Sequence, residues 1–201
     1  MSKIIILMGM SGSGKDKIRK ILEEDYGYEN IVSYTSRPIR EKEVNGRDYY
    51  FVSKKEFENI INNNEMIEYR KYKTNLCGNT DTWFYGVKKF KLQDNINYVI
   101  VIDLKGAESI INYFGKQNCI PIYLIVDDKI REQRAKNRGS FDEKEWNRRL
   151  LADYQDFSSN NLENFMNKYK TWQIKNNIRG EFALTEIVNV IDFIRQGRLC
   201  K

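Results

Sequence analysis

The chain contains no histidine. That absence removes imidazole general bases, Ser-His-Asp triads and histidine-ligated metal centres, so any catalysis must rest on carboxylates, lysine, arginine and positioning. Cysteine is almost as scarce. Cys77, Cys119 and Cys200 are odd in number, far apart and without metal-ligand spacing, and read as free thiols in a reducing compartment. No apolar run approaches the roughly 20 residues that span a bilayer. The N-terminal apolar stretch is too short for a signal peptide and leads straight into a glycine-rich loop. Internal repeats and low-complexity linkers are also missing. The expectation is a soluble cytoplasmic protein with no membrane partner.

Charge excludes less. The 34 basic residues exceed the 28 acidic ones, giving +6, but the basic groups form no single run. The excess fits a lysine-rich solvated surface, or arginines gathered round a nucleotide, better than a nucleic-acid-binding face. At 201 residues, 41% hydrophobic and 13% aromatic, the chain suits one ordered domain with a sizeable core.

The strongest positive signal comes first in the chain. Ile4-Ile5-Ile6-Leu7-Met8 is a short apolar run, and Gly9-Met10-Ser11-Gly12-Ser13-Gly14-Lys15 follows it directly. This is the pattern of a phosphate-cradling loop between a buried strand and a helix. Its glycines permit a tight turn, so that successive N–H groups point at phosphate oxygens. Lys15 adds a mobile cation, and the helix N-terminus behind it favours anions. Asp16 and Lys17 then stand where a Ser or Thr hydroxyl usually meets magnesium. Asp16 is the candidate metal ligand, directly or through water.

The coarse pattern alternates strand and helix, which predicts an α/β protein with a parallel sheet covered on both faces. A first helix follows the loop, with Ile18, Ile21 and Leu22 at helical spacing. Strands are expected at Ile31-Val32, 48–52, 66–72, 98–102 and 120–126. Ser53 with Glu56 forms a capping box for a helix reaching Ile61. Further helices are expected over 127–137, 144–157 and 181–194, the last burying Ile187, Val190, Ile191 and Ile194. The segment 73–82, rich in small polar residues, reads as a loop.

A second constellation runs from Ser33 through Arg37-Pro38-Ile39-Arg40 to Tyr49. Two arginines three apart, on a segment held extended by Pro38, can grip one phosphate from two sides. Ser33 and Tyr49 offer hydroxyls to complete the clamp. Either arginine alone reads as a solvated loop charge. Downstream of a phosphate loop the pair reads as an acceptor site facing a donor site.

Here the chain resembles the guanylate kinase family. Arg37-x-x-Arg40 continues into Glu43-Val-Asn-Gly46-x-Asp48-Tyr49-x-Phe51-Val52. Asn64-Glu-Met-Ile-Glu68, Tyr85-Gly86, Asp103-Leu-Lys-Gly106 and Arg134-x-x-x-Arg138-Gly139 then follow in order. The resemblance covers nearly the whole chain. It implies a three-layer P-loop nucleotide kinase, with a core formed by 1–33, 91–134 and 151–201. A small GMP-binding lobe would occupy 34–90 and a helical lid 135–150.

The resemblance also implies roles. ATP would lie on Gly9 to Lys17, with Mg²⁺ as cofactor and Asn176 near the adenine. GMP or dGMP would lie among Ser33, Arg37, Arg40, Tyr49, Glu68, Tyr85 and Asp103. Glu68 would read the guanine edge, since a carboxylate can accept both N1–H and the 2-amino group. Adenine offers no such donor pair, and leaving the carboxylate unpaired costs on the order of 1–3 kcal/mol. Asp103 would contact the guanylate, although a strand-end aspartate can equally hold magnesium through water or cap the next helix. Lys15, Arg134, Arg138 and Arg149 would stabilise the moving phosphoryl group, whereas a bare arginine stripe at 131, 134 and 138 would be only a solvated face.

The chain departs from the family pattern at Asp16 and Lys17, at Val87 in place of a Ser or Thr, at Val101 in place of an aspartate, and in a longer 73–82 segment. The implied reaction is ATP-dependent phosphorylation of GMP or dGMP by a monomer or homodimer. Val87 keeps open a deoxynucleotide kinase with a broader acceptor range. A non-catalytic binding module of the same fold is the other alternative, set against the intact phosphate loop.

Overall fold

The computed structural model describes residues 2–41, 43–76, 79–137, 141–177, 184–189 and 192. Arg138, Gly139, Cys77, Cys200 and half of the helix expected over 181–194, including Val190, Ile191 and Ile194, lie outside the described residues.

The first strand, β1 (Ile4–Met8), is fully buried along its length. An apolar run without alternation is what a central strand covered on both faces requires. It lies in the middle of a parallel five-stranded sheet, beside β7 (Tyr98–Val101) on one side and β8 (Cys119–Ile125) on the other. The edges are β2 (Glu29–Asn30), next to β7, and β9 (Trp172–Lys175), next to β8. Side chains leave β1 alternately. Ile5 and Leu7 meet Ile18 and Leu22 of α1 (Lys15–Glu24), together with Ile187 from the short helical stretch 184–189. Ile4, Ile6 and Met8 face Ile110 and Ile111 of α3 (Leu104–Phe114), as well as Phe157 and Phe165. The expected α/β sandwich is therefore present.

A second, four-stranded sheet stands beside the first in the order β4, β3, β6, β5. Its strands are β3 (Tyr34–Thr35), β4 (Tyr50–Phe51), β5 (Met66–Leu76) and β6 (Asn79–Lys88). Helix α2 (Lys54–Asn62) covers it and buries Phe57 against Phe84, with ring centroids 5.3 Å apart. The capping box that opens α2 is made as expected: the Ser53 hydroxyl accepts the Glu56 N–H, and the Glu56 carboxylate accepts the Ser53 N–H at 2.7 Å.

Two expectations need correction, and one helix goes beyond them. Residues 73–76 and 79–82, expected as loop, are the paired ends of antiparallel β5 and β6, with Lys73 opposite Thr82 and Leu76 opposite Asn79. Cross-strand pairing with a long partner outweighs small polar composition there. The strand expected at Ile31-Val32 pairs slightly earlier, at Glu29–Asn30, although the Ile31 N–H still reaches the Val99 carbonyl at 2.9 Å. A helix that the sequence reading did not anticipate, α6 (Ser159–Lys168), follows α4 (Asp128–Lys136) and α5 (Glu143–Asp156).

Candidate active site

The glycine-rich loop leaves the buried end of β1 and enters α1 at Lys15. Its turn is closed by the Ser13 N–H on the Met10 carbonyl at 3.2 Å. Gly12 has φ +79°, and a β-carbon there would lie 2.7 Å from the Arg131 carbonyl oxygen. Only glycine fits both the angle and the gap. The Lys15 ammonium folds back over the loop, donating to the Gly9 carbonyl at 2.6 Å and the Met10 carbonyl at 3.0 Å.

Three side chains hold the loop from below. Arg131 of α4 is 1% exposed and donates to the Ser11 carbonyl at 3.0 Å, while pairing with Asp128 at 2.7 Å and lying 3.7 Å from Asp153. Buried Asn176, just beyond β9, donates to the Ser13 carbonyl at 2.8 Å. Arg134 donates to the Asn176 carbonyl at 2.7 Å and reaches the Gly12 carbonyl at 3.5 Å. The arginine stripe on α4 is thus partly a buried brace for the loop rather than a solvated face. Its role for Arg131 was hidden because an arginine in a polar helix gives no sign of burial.

Two clefts meet at this loop. One, of about 250 Å³, is lined by Ser11, Gly12, Gly14, Lys15 and Asp16, and on its far side by Phe141, Glu145, Trp146 and Arg149. The other, of about 370 Å³, reaches from Gly9, Ser11 and Lys15 across Ser33, Arg40 and Tyr49 to Glu68, Tyr85 and Asp103. Lys15, Ser11, Glu145 and Arg149 line both. Six of the seven residues expected to hold the acceptor therefore share one cavity.

Arg37, the seventh, is 4% exposed and sits behind that cavity. It pairs with Glu43 at 2.7 Å and lies 5.6 Å from the ring centres of both Tyr49 and Phe51. Arg40 faces the cavity directly. Burial lowers its pKa, and so do the neighbouring charges of Arg37 and Arg149. Cations crowded in this way are relieved by an anion between them. Burial pushes the Tyr49 hydroxyl up to about 12, aided by Tyr85 and Asp16. Met10, Ser13 and Lys17 line neither cleft.

At the other end of the larger cavity, Glu68 is pushed up to about 7 by burial and then by Asp103, while Arg70 opposes the shift. Asp103 caps α3 through the Gly106 N–H at 2.7 Å and also faces the cavity, so the capping and binding readings are compatible. Its carboxylate is gripped by Arg70, with Nε 3.2 Å from Oδ2 and Nη2 2.9 Å from Oδ1. Arg70, Tyr72, Arg148 and Asp153 line the cavity as well. The sequence reading missed all four. Strand alternation at 68, 70 and 72 was the signal that could have found the first two.

A glycine-rich loop at the end of the central strand of a parallel sheet, opening on two joined clefts, defines the P-loop nucleotide-binding class. Within it, the family model described as guanylate kinase matches residues 1–171, and the chain belongs to the guanylate kinase family. A guanylate kinase of Mycoplasma mobile is 30% identical over 200 residues, covering 94% of this chain and 92% of the relative. One of Mesoplasma florum is 40% identical over 129 residues, covering 61% of this chain and only 40% of that relative's length. The crystal structure of guanylate kinase from Anaplasma phagocytophilum superposes with a TM-score of 0.61 at 24% identity, covering 100% of this chain and 87% of that one, which is a likeness of fold.

Proposed function

We propose that the protein transfers the terminal phosphoryl group of ATP to GMP or dGMP, giving ADP and GDP or dGDP. The observation that carries this reading is the shared lining of the two clefts by Lys15 and Arg149. A phosphoryl group passing from one cleft to the other stays within reach of both cations. In phosphoryl transfer through a loose transition state, positioning and charge neutralisation are most of what the protein must supply.

The smaller cleft takes the donor, its phosphates on the N–H groups of the loop and the start of α1. The larger cleft takes the acceptor, with its phosphate among Arg40, Ser33, Tyr49 and Tyr85. Arg37 acts from behind, fixing the clamp through Glu43 and adding positive potential. Glu68 accepts the guanine N1–H and 2-amino group. The attacking phosphate oxygen is already ionised, so a chain without histidine loses nothing by having no general base. The 34–90 lobe and the 135–150 lid, with Arg138 and Arg149 in the lid and Arg134 at its hinge, are read as the parts that close on the substrates and exclude water.

Among the described residues no cluster of three or more acidic or cysteine side chains is placed to hold a metal by itself. Asp16, an exposed carboxylate, lines the donor cleft beside Lys15. That suits magnesium, which keeps several waters and shares its ligands with substrate phosphates. When bound, it would supply charge neutralisation between the outer phosphates. No described helix is long and apolar enough to cross a membrane. A cytoplasmic setting is proposed from the cysteine usage alone.

The test is ADP formation from Mg-ATP with GMP, dGMP, AMP, CMP, UMP and dTMP offered separately. Turnover restricted to GMP and dGMP is the expected result. Comparable turnover with several bases would refute guanine selectivity, and no turnover with any would refute the kinase reading.

A further inference from the structure

Guanine shows a reader two edges. N1–H and the 2-amino group donate, and next to them O6 and N7 accept. A carboxylate serves only the first pair, and an O6 buried without a donor forfeits its hydrogen bond to water. Adenine carries an amino group at the same position. A donor aimed at O6 therefore separates the two purines as strongly as Glu68 does.

The ladder of β5 and β6 shows where that donor is not. The residue directly across from Glu68 is Val87, which is 1% exposed and has no polar group. Arg70 lies two residues further along β5, on the same face as Glu68 and in the same cavity. We propose that Arg70 is a specificity-determining residue that reads the O6 and N7 edge of the acceptor base, completing recognition of a 6-oxopurine nucleoside monophosphate.

The inference rests on the reading of this cavity as the acceptor site. Three features of Arg70 carry it. First, two of its five guanidinium N–H groups are engaged by Asp103, and the guanidinium makes no other hydrogen bond among the described residues. The remaining donors belong to a planar fork whose spacing matches adjacent O6 and N7 acceptors, the same match by which arginine selects guanine in a DNA groove. Second, the fork is held in advance. Asp103 grips it from one side and is itself fixed by the Gly106 N–H at 2.7 Å. A side chain already ordered loses little entropy when the base arrives. Third, its charge complements that of Glu68. One carboxylate and one guanidinium on alternate positions of a strand mirror the donor pair and the acceptor pair of guanine. Arg70 also favours the ionised form of Glu68.

Arg70 also neutralises Asp103, so its removal alone would not distinguish recognition from support. The substrate is therefore changed as well. Binding of GMP and of 6-thio-GMP, whose sulfur is a poor acceptor but whose N1–H and 2-amino group are kept, is measured by calorimetry on the unaltered protein and on Arg70→Ala and Arg70→Lys. The unaltered protein is expected to prefer GMP by roughly tenfold or more. Arg70→Ala should weaken GMP by about that factor more than it weakens 6-thio-GMP, erasing the preference. Arg70→Lys keeps a cation beside Asp103 and one donor, and should restore part of it. Equal losses for both nucleotides, or none, would overturn the proposal and leave Arg70 as a support for Asp103. Failure of the unaltered protein to bind GMP over AMP is a different result, and would overturn the acceptor reading together with this one.

Discussion

The Asp153 carboxylate accepts the backbone N–H of Ser11 with a separation of 2.6 Å. Ser11 belongs to the loop whose N–H groups the donor phosphates need, and Asp153 comes from α5 on the opposite wall. One of the N–H groups proposed to meet phosphate is thus satisfied by an anion of the protein. Bringing a phosphate to that N–H means displacing a charged competitor.

Asp153→Asn keeps the shape and removes the charge. Mg-ATP should bind severalfold tighter to this variant, because a charge-assisted bond is about twice as strong as a neutral one. Calorimetric titration with Mg-ATP checks this. Weaker binding would mean that the carboxylate positions the loop rather than competing for it.

Glu68 predicts a pH dependence with two opposite signs. The form proposed to read the base is the ionised one, and the Glu68 carboxyl is pushed up to about 7 from an ordinary 4.5. Below pH 7 the competent form is lost, so kcat/KM for GMP should fall by up to about tenfold per pH unit. Glu68→Gln should lower kcat/KM for GMP and remove this inflection, leaving only the titration of the GMP phosphate near 6. Stability runs the other way. The folded state holds the Glu68 proton longer than the unfolded chain does. Its contribution is therefore greatest below about 4.5 and is lost as pH rises toward 7. Glu68→Gln should raise the thermal midpoint at pH 8 and change it little at pH 4.

Much of this arrangement was legible in the chain itself. The unbroken apolar run of β1 and the Gly9–Lys15 loop set the central strand and the donor cleft, and Ser53 with Glu56 marked the start of α2. All three are local signals. What was not legible depends on distant partners. Thr74 and Asn75 look like loop residues until β6 pairs with them. Arg131 looks solvated until the loop closes over it. Arg70 gains meaning only from Asp103, 33 residues away. The polar Ser159-Asn160-Asn161 start hid α6, whose first turn is capped by Ser158.

Arg131→Met keeps much of the volume but removes the brace beneath Ser11. It also strips Asp128 and Asp153 of their shared cation. Breaking a buried pair on one side should cost about 3 kcal/mol, read as a shift in urea midpoint at unchanged slope. Lysine should not rescue it, since one ammonium cannot span the Ser11 carbonyl and both carboxylates.

Gly86 of β6 packs closely against β5, opposite Tyr69. A β-carbon there would sit 2.6 Å from the Glu68 carbonyl oxygen and 2.9 Å from the Tyr69 β-carbon. Gly86→Ala should force the strands apart, costing about 1–3 kcal/mol, and shift the backbone that carries Glu68. A raised KM for GMP at unchanged KM for ATP is the expected kinetic signature. Equal changes in both would place the damage in the fold as a whole.

The most direct test of the central claim is to follow the γ-phosphoryl group itself. ATP labelled at that position is mixed with protein, Mg²⁺ and GMP, and the products are separated. Label arriving in GDP in proportion to ADP formed, with little in inorganic phosphate, is the result predicted by two clefts joined at Lys15 and Arg149. Label appearing mainly as inorganic phosphate, at a rate indifferent to GMP, would contradict it.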